Sequence, residues 1–151
     1  MIVGLAIHIV SAILWIGGLS MALVILKPGV LAVDRQTRLA IWHRGFMVVL
    51  PWSWVCIGAL VLSGFALVFV GFGGFATLPA HIRWMMALGL IAVGIYAYFQ
   101  VRLWRQFRRS VLGSDWTAAE RGIAQIRWLL GTALVVGLAA AIAGSAGRYY
   151  G

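Results

Sequence analysis

Four apolar stretches, at about 2–26, 46–71, 84–101 and 128–147, fill most of this 151-residue chain. A helix needs ~20 residues to cross a ~30 Å hydrocarbon core, and each stretch is close to that length. The expected fold is therefore all-α: a single-domain, four-helix transmembrane bundle. Short loops favour up-down-up-down order over residues 1–151. The three acids, Asp34, Asp115 and Glu120, all fall outside the stretches.

The net charge of +9 raises the question of nucleic acid. No soluble module carries that charge, so nucleic acid is set aside. The basic residues lie in short loops beside the apolar stretches, where topology and anionic lipid account for them. Lys27, Arg35, Arg38 and Arg44 fall between the first and second stretches. Arg102, Arg105, Arg108, Arg109, Arg121 and Arg127 fall between the third and fourth, leaving Arg83 and Arg148 for the other side. By the positive-inside rule this split puts both basic loops in the cytoplasm and both termini outside. The expected location is a bacterial inner membrane, with the bilayer as first partner.

The first stretch lacks a basic leader, and Lys27-Pro28 follows it in place of a small-residue cleavage site, so it reads as a retained helix. Cys56 is the only cysteine, which leaves no intrachain disulfide and no cysteine-based metal motif.

Local signals place the boundaries. Lys27-Pro28-Gly29 should end the first helix. Residues 30–43 mix apolar and charged side chains and read as an interfacial stretch leading into the second helix. Pro51 should bend that helix. Gly71-Phe72-Gly73-Gly74-Phe75 should end it, and Pro79 suits the start of the third. The third helix should reach Val111, with Gly113-Ser114 breaking it. Thr117-Ala118-Ala119-Glu120 spells a capping box ahead of the fourth.

Two small-residue rows run along the fourth stretch: Gly137, Ala141 and Ser145, and Gly137, Ala140, Gly144 and Gly147. Small faces let membrane helices approach closely, and the first row is expected to contact another helix, in this chain or a partner. Gly17-Gly18 and Ser63-Gly64 invite the same reading.

Histidines sit at matching ends of two stretches. His8, Ser11, Trp15, Gly18 and Ala22 share one face of the first helix; His81, Met85, Leu88 and Ala92 share one face of the third. In an up-down bundle these helices are diagonal, roughly 12–14 Å apart for neighbours spaced ~8–10 Å. That gap admits a haem with axial imidazoles from both sides, histidine being a usual iron ligand. Arg83 is positioned to neutralise a propionate, and Trp15 and Met85 to line the pocket. Copper is the competing ligand: His8, His81, Met85 and Met86 offer imidazole and thioether donors suited to Cu(I). Each histidine also has a plain reading as an interfacial polar residue, and His43 stands in a basic loop beside Arg44.

The run His8-Ile9-Val10-Ser11-Ala12-Ile13-Leu14-Trp15-Ile16-Gly17-Gly18 resembles the first-helix pattern of the copper-resistance D (CopD) family: a histidine, a small-residue stretch, then Trp-x-Gly-Gly. It is also similar to the HemJ-type protoporphyrinogen oxidases, four- to five-helix proteins of about this length. Arg44-Gly45-Phe46-Met47 followed by Pro51 resembles the entry to their second helix. The HemJ resemblance implies that His8 acts with a third-helix lysine, and that haem b is involved. Here His81-Ile82-Arg83 puts arginine where that lysine stands. Lysine can give up its proton and arginine stays charged, which counts against protoporphyrinogen oxidation. The CopD resemblance implies copper handling across the inner membrane. The resulting expectation is a haem b redox or electron-transfer protein with a quinone or cytochrome as partner. The alternatives are copper handling and a small accessory subunit of a larger respiratory or photosynthetic membrane complex.

Overall fold

The computed structural model describes residues 1–147; Arg148 and Gly151 lie outside the described residues. Four helices make up nearly all of it: α1 (Ile2–Gly29), α2 (Arg35–Phe72), α3 (Ala80–Leu112) and α4 (Trp116–Ala146). Each is long and apolar enough to cross a membrane. Among the described residues there is no β-strand.

The boundaries follow local chemistry. α1 runs through Lys27, Pro28 and Gly29 before the chain turns. α2 begins at Arg35, so most of the expected interfacial stretch is the first turns of a helix. Its cap is Asp34, whose carboxylate accepts from the Thr37 amide at 3.0 Å. α2 continues as α-helix through Pro51 and ends at Gly73, whose φ of 73° is the left-handed conformation a glycine adopts without Cβ strain. α3 starts after Pro79. It ends at Leu112, and Ser114 turns the chain with φ 57°.

The cap of α4 corrects the capping-box expectation. Asp115, two residues before Thr117, accepts from the Ala118 amide at 2.9 Å. The Thr117 hydroxyl instead receives a hydrogen bond from Arg35 at 3.2 Å. Glu120 pairs with Arg35 at 3.1 Å and Arg38 at 3.0 Å. The capping-box residues therefore tie the start of α4 to the start of α2.

Two segments widen to π-helix, Met21–Leu26 in α1 and Phe99–Trp104 in α3. A π-turn inserts a residue without breaking the helix, and no composition signal marks it. The second one turns Phe99 and Trp104 into the core, where both are buried.

The helices form two closely packed pairs, α1 with α2 and α3 with α4, and α4 also touches α1 and α2. The start of α1 lies beside the end of α2: a Cβ on Gly4 would stand 3.8 Å from Leu67, and one on Gly71 3.9 Å from Met1. In the other pair, Gly122 near the start of α4 meets Phe107 near the end of α3, and Gly144 meets Met85.

The main core lies towards the basic end. Trp42, Phe46, Tyr96, Phe99, Trp104, Phe107, Ile123 and Ile126 are buried there in one cluster. Phe46 is its hub, with ring centroids 5.5 Å from Phe99, 5.6 Å from Trp104 and 6.3 Å from Phe107. The other half of the bundle is looser. Ile2, Val3, Leu5, Ile7, Ile9, Val10, Ile13 and Leu14 are all exposed, whereas Gly4, His8 and Ser11 form the covered line facing α2.

Within this chain the first row of α4 packs only at Gly137. Ala141 and Ser145 are exposed, and the Ser145 hydroxyl turns back to the Ala141 carbonyl at 2.8 Å. The second row does the packing: Gly137 meets Trp15 and Ile16, Ala140 is buried, Gly144 lies under Met85, and Gly147 lies under His81. Spacings of three and four residues keep each row on one helix face, so both looked equivalent in sequence. The bulk of Trp15, Met85 and His81 opposite the second row decides between them.

Candidate functional site

His8 is held by α2. Its Nδ1 is 3.0 Å from the Leu60 carbonyl oxygen and 3.2 Å from the Ser63 hydroxyl. A carbonyl only accepts, so the proton resides on Nδ1, and Nε2 keeps its lone pair. Among the described residues Nε2 has no hydrogen-bond partner. This is the arrangement in which a backbone carbonyl fixes the tautomer and orientation of a metal-binding imidazole. Gly64 makes room for it: a Cβ there would stand 3.1 Å from His8 Cε1. The sequence pattern pointed to Ser63-Gly64 as a small-residue contact; its partner is the imidazole.

His81 packs against Gly147 of α4, and Met85 against Gly144. Their heights can be compared through the Trp15–Gly137 contact. His8 is seven residues from Trp15 and Gly144 is seven from Gly137, so both stand about 10 Å from that contact. Met85 is thus level with His8, and His81 lies roughly one turn farther out, ~5 Å.

Arg83 is separated from this set. Two residues after His81 it lies ~200° around the helix. It is exposed and lines a shallow surface groove with Ala80, Trp84 and Ala87. Met86 is turned about 100° from Met85 and is half-buried. His8 therefore packs within the α1/α2 pair and Met85 and His81 within the α3/α4 pair, and Arg83 lies on another face of α3.

Farther in from His8, the packing is aromatic. Trp15 is 4% exposed and Tyr96 2%. Their rings meet edge-on, with centroids 5.8 Å apart and planes at 78°. Trp54 closes the other side of Tyr96 at 6.0 Å, and its indole N–H donates to Gln100 Oε1 at 2.6 Å. The indole nitrogen of Trp15 is buried without a hydrogen-bond partner among the described residues, and the Tyr96 hydroxyl stands near the buried Ser53. Trp15 was legible as a deep tryptophan; Tyr96 was legible only as a tyrosine in the inner half of α3.

At the basic end, His43 stacks on Trp104, with centroids 5.4 Å apart and planes at 27°. Its Nε2 is buried and unpartnered. His43 is thus a packed side chain, more enclosed than a loop histidine. Among the described residues no group of three or more His, Cys, Asp or Glu side chains is positioned to hold a metal ion.

Compared with known proteins, the chain matches no family model, no curated protein and no solved structure.

Proposed function

We propose that this chain is a CopD/HemJ-like protein of the bacterial inner membrane that holds haem b between its two helix pairs and passes electrons through it. The observation that carries the reading is His8: Nδ1–H is committed to Leu60, and Nε2 keeps a lone pair free to bind a metal. Helix order is up-down-up-down, supported by the pairing of Gly4 with Leu67 and of Gly144 with Met85. Both termini face outward, supported by the basic residues gathered at the α2 and α4 starts and the α3 end.

His8 would hold the iron through Nε2, and His81 or Met85 on the other helix pair would supply the second ligand; histidine and methionine are both haem ligands. Trp15 and Tyr96 would bound the group on its inner side. Haem supplies a one-electron couple when bound. The chain's part is to fix the His8 tautomer, exclude water with Trp15 and Tyr96, and keep carboxylates out of the membrane. Arg83 lies on another face of α3 and serves the headgroup region.

Copper is the second reading, favoured by His81 and Met85 one turn apart on α3 with Met86 adjacent and His8 at a similar depth on α1, a mixed imidazole and thioether set suited to Cu(I). The visible absorption spectrum of protein purified from a haem-replete host separates the two. The haem reading predicts a Soret band with alpha bands on reduction. Stoichiometric copper without a Soret band supports the second reading and overturns the first. Neither haem nor copper overturns both.

Orientation is tested by labelling Ser114→Cys with an impermeant reagent. Labelling is expected only after the membrane is opened; labelling from outside overturns the proposed sidedness.

A further inference from the structure

α3 and α4 pack antiparallel, with Phe107 against Gly122 at one end and Met85 against Gly144 at the other. That register sets Tyr98 and Leu103 of α3 beside Gln125, Trp128 and Leu129 of α4, and these residues line one groove of about 300 Å³. Leu103 and Leu129 are its half-buried part; Tyr98, Gln125 and Trp128 are exposed. The apolar stretch of α3 ends near Val101 and that of α4 begins at Trp128, so the groove straddles the edge of the hydrocarbon. In a bilayer it faces the interfacial layer, where acyl chains join the glycerol through their ester carbonyls.

Each of the three polar side chains carries a donor: the Tyr98 hydroxyl, the Gln125 amide and the Trp128 indole N–H. At a similar depth between α2 and α3, the Trp54 indole N–H donates to Gln100 Oε1 at 2.6 Å, so that tryptophan and glutamine satisfy each other. Trp128 and Gln125 share one helix, three residues apart, and among the described residues their side chains make no such bond; Trp128 takes part only through its carbonyl, which accepts from Thr132. A donor at the lipid boundary is costly to leave unmet. A tryptophan or tyrosine of an interfacial belt meets lipid singly. Here three donors from two helices border the same groove.

We infer that this groove seats one diacyl phospholipid, with Tyr98, Gln125 and Trp128 donating to its ester carbonyls and an acyl chain lying over Leu103 and Leu129. The inference rests on the membrane crossing and is independent of the haem reading. Recognition is by the linkage region, so the groove distinguishes ester from ether lipids sharing one headgroup.

Native mass spectrometry of the full chain in detergent tests this, with two added phosphatidylglycerols of equal chain length, one ester-linked and one ether-linked. The ether lipid lacks the carbonyl acceptors. The wild type should retain one ester lipid about fivefold more strongly than the ether lipid, the size expected of one or two added hydrogen bonds. Tyr98→Phe/Gln125→Leu/Trp128→Phe should hold both lipids alike. Trp84→Phe, in the separate groove near the start of α3, should keep the wild-type preference. Equal retention of the two lipids by the wild type would overturn the site, as would an unchanged preference in the triple variant. Loss of preference in Trp84→Phe as well would show a general aromatic effect and overturn it too. An equimolar long-chain benzoquinone should leave the lipid in place; displacement would give the groove to a quinone headgroup and overturn the phospholipid assignment. If the triple variant fails to fold, Tyr98→Phe and Gln125→Leu singly should each weaken the preference, and wild-type preference in both would overturn the assignment.

Discussion

His81 lies over Gly147 as Met85 lies over Gly144, two successive side chains of α3 each seated on a glycine of α4. A Cβ at either glycine would collide with the side chain above it. The α3/α4 pair is therefore closest at the end where the candidate ligands stand, and the glycines set their height.

Replacing those glycines should loosen this end. Gly144→Leu and Gly147→Leu should each destabilise the detergent-solubilised protein by about 1–3 kcal/mol through overpacking. Ala141→Leu, on the exposed row, should be near neutral. Thermal unfolding of the three variants checks this ordering, and equal loss in all three would show that the Ala141 row is also packed.

Gly64 offers a finer perturbation. Gly64→Ala puts a methyl 3.1 Å from His8 Cε1, closer than carbon atoms normally approach. The imidazole must shift, which should weaken the bond to Leu60 and alter any His8-dependent spectrum while the helices stay folded. Far-ultraviolet circular dichroism and the visible spectrum, measured together, separate the two effects.

The helix start at Asp34 carries an acid response. The Thr37 amide, bonded to its carboxylate, holds Asp34 below its ordinary value. A carboxyl group with a depressed folded pKa contributes stability above its unfolded value, near 4, and loses it as pH falls through the folded value. Amide protection at Thr37 should therefore be flat above about pH 5 and fall below about pH 4. Asp34→Asn keeps a capping side chain and should remove the acid step. Hydrogen exchange across that range checks it.

Glu120→Gln removes the acceptor shared by Arg35 and Arg38. Both pairs are solvent-accessible, so the expected loss is about 1 kcal/mol or less, and smaller in high salt. Thermal unfolding at low and high salt measures it.

Most of the architecture was legible because membrane-length apolar stretches, prolines and glycines act locally. The α1 end at Gly29, the α2 end at Phe72 and the α3 extension past Val111 follow from such signals. What was not legible depended on partners distant in sequence. Asp115 caps α4 because Thr117 and Glu120 are drawn to Arg35 and Arg38 of another helix. The Gly144 row packs and the Ala141 row does not, because the large side chains opposite belong to α1 and α3. At the site, periodicity placed His8, His81 and Met85 on inward faces. It did not show that Arg83 turns away, that Leu60 fixes the His8 tautomer, or that Tyr96 meets Trp15. The offset of one turn between His8 and His81 arises from the way α1 and α3 are each tied to α4, which no single helix encodes.

The most direct test of the haem reading is imidazole rescue of His8→Gly. The wild type should show a low-spin haem spectrum that His8→Gly abolishes or converts to a weaker form, and that added imidazole restores in the space left behind. His43→Ala, at the opposite end of the bundle, should leave the spectrum unchanged. A spectrum that survives His8→Gly without imidazole, or purified wild-type protein with no haem at all, would contradict the account.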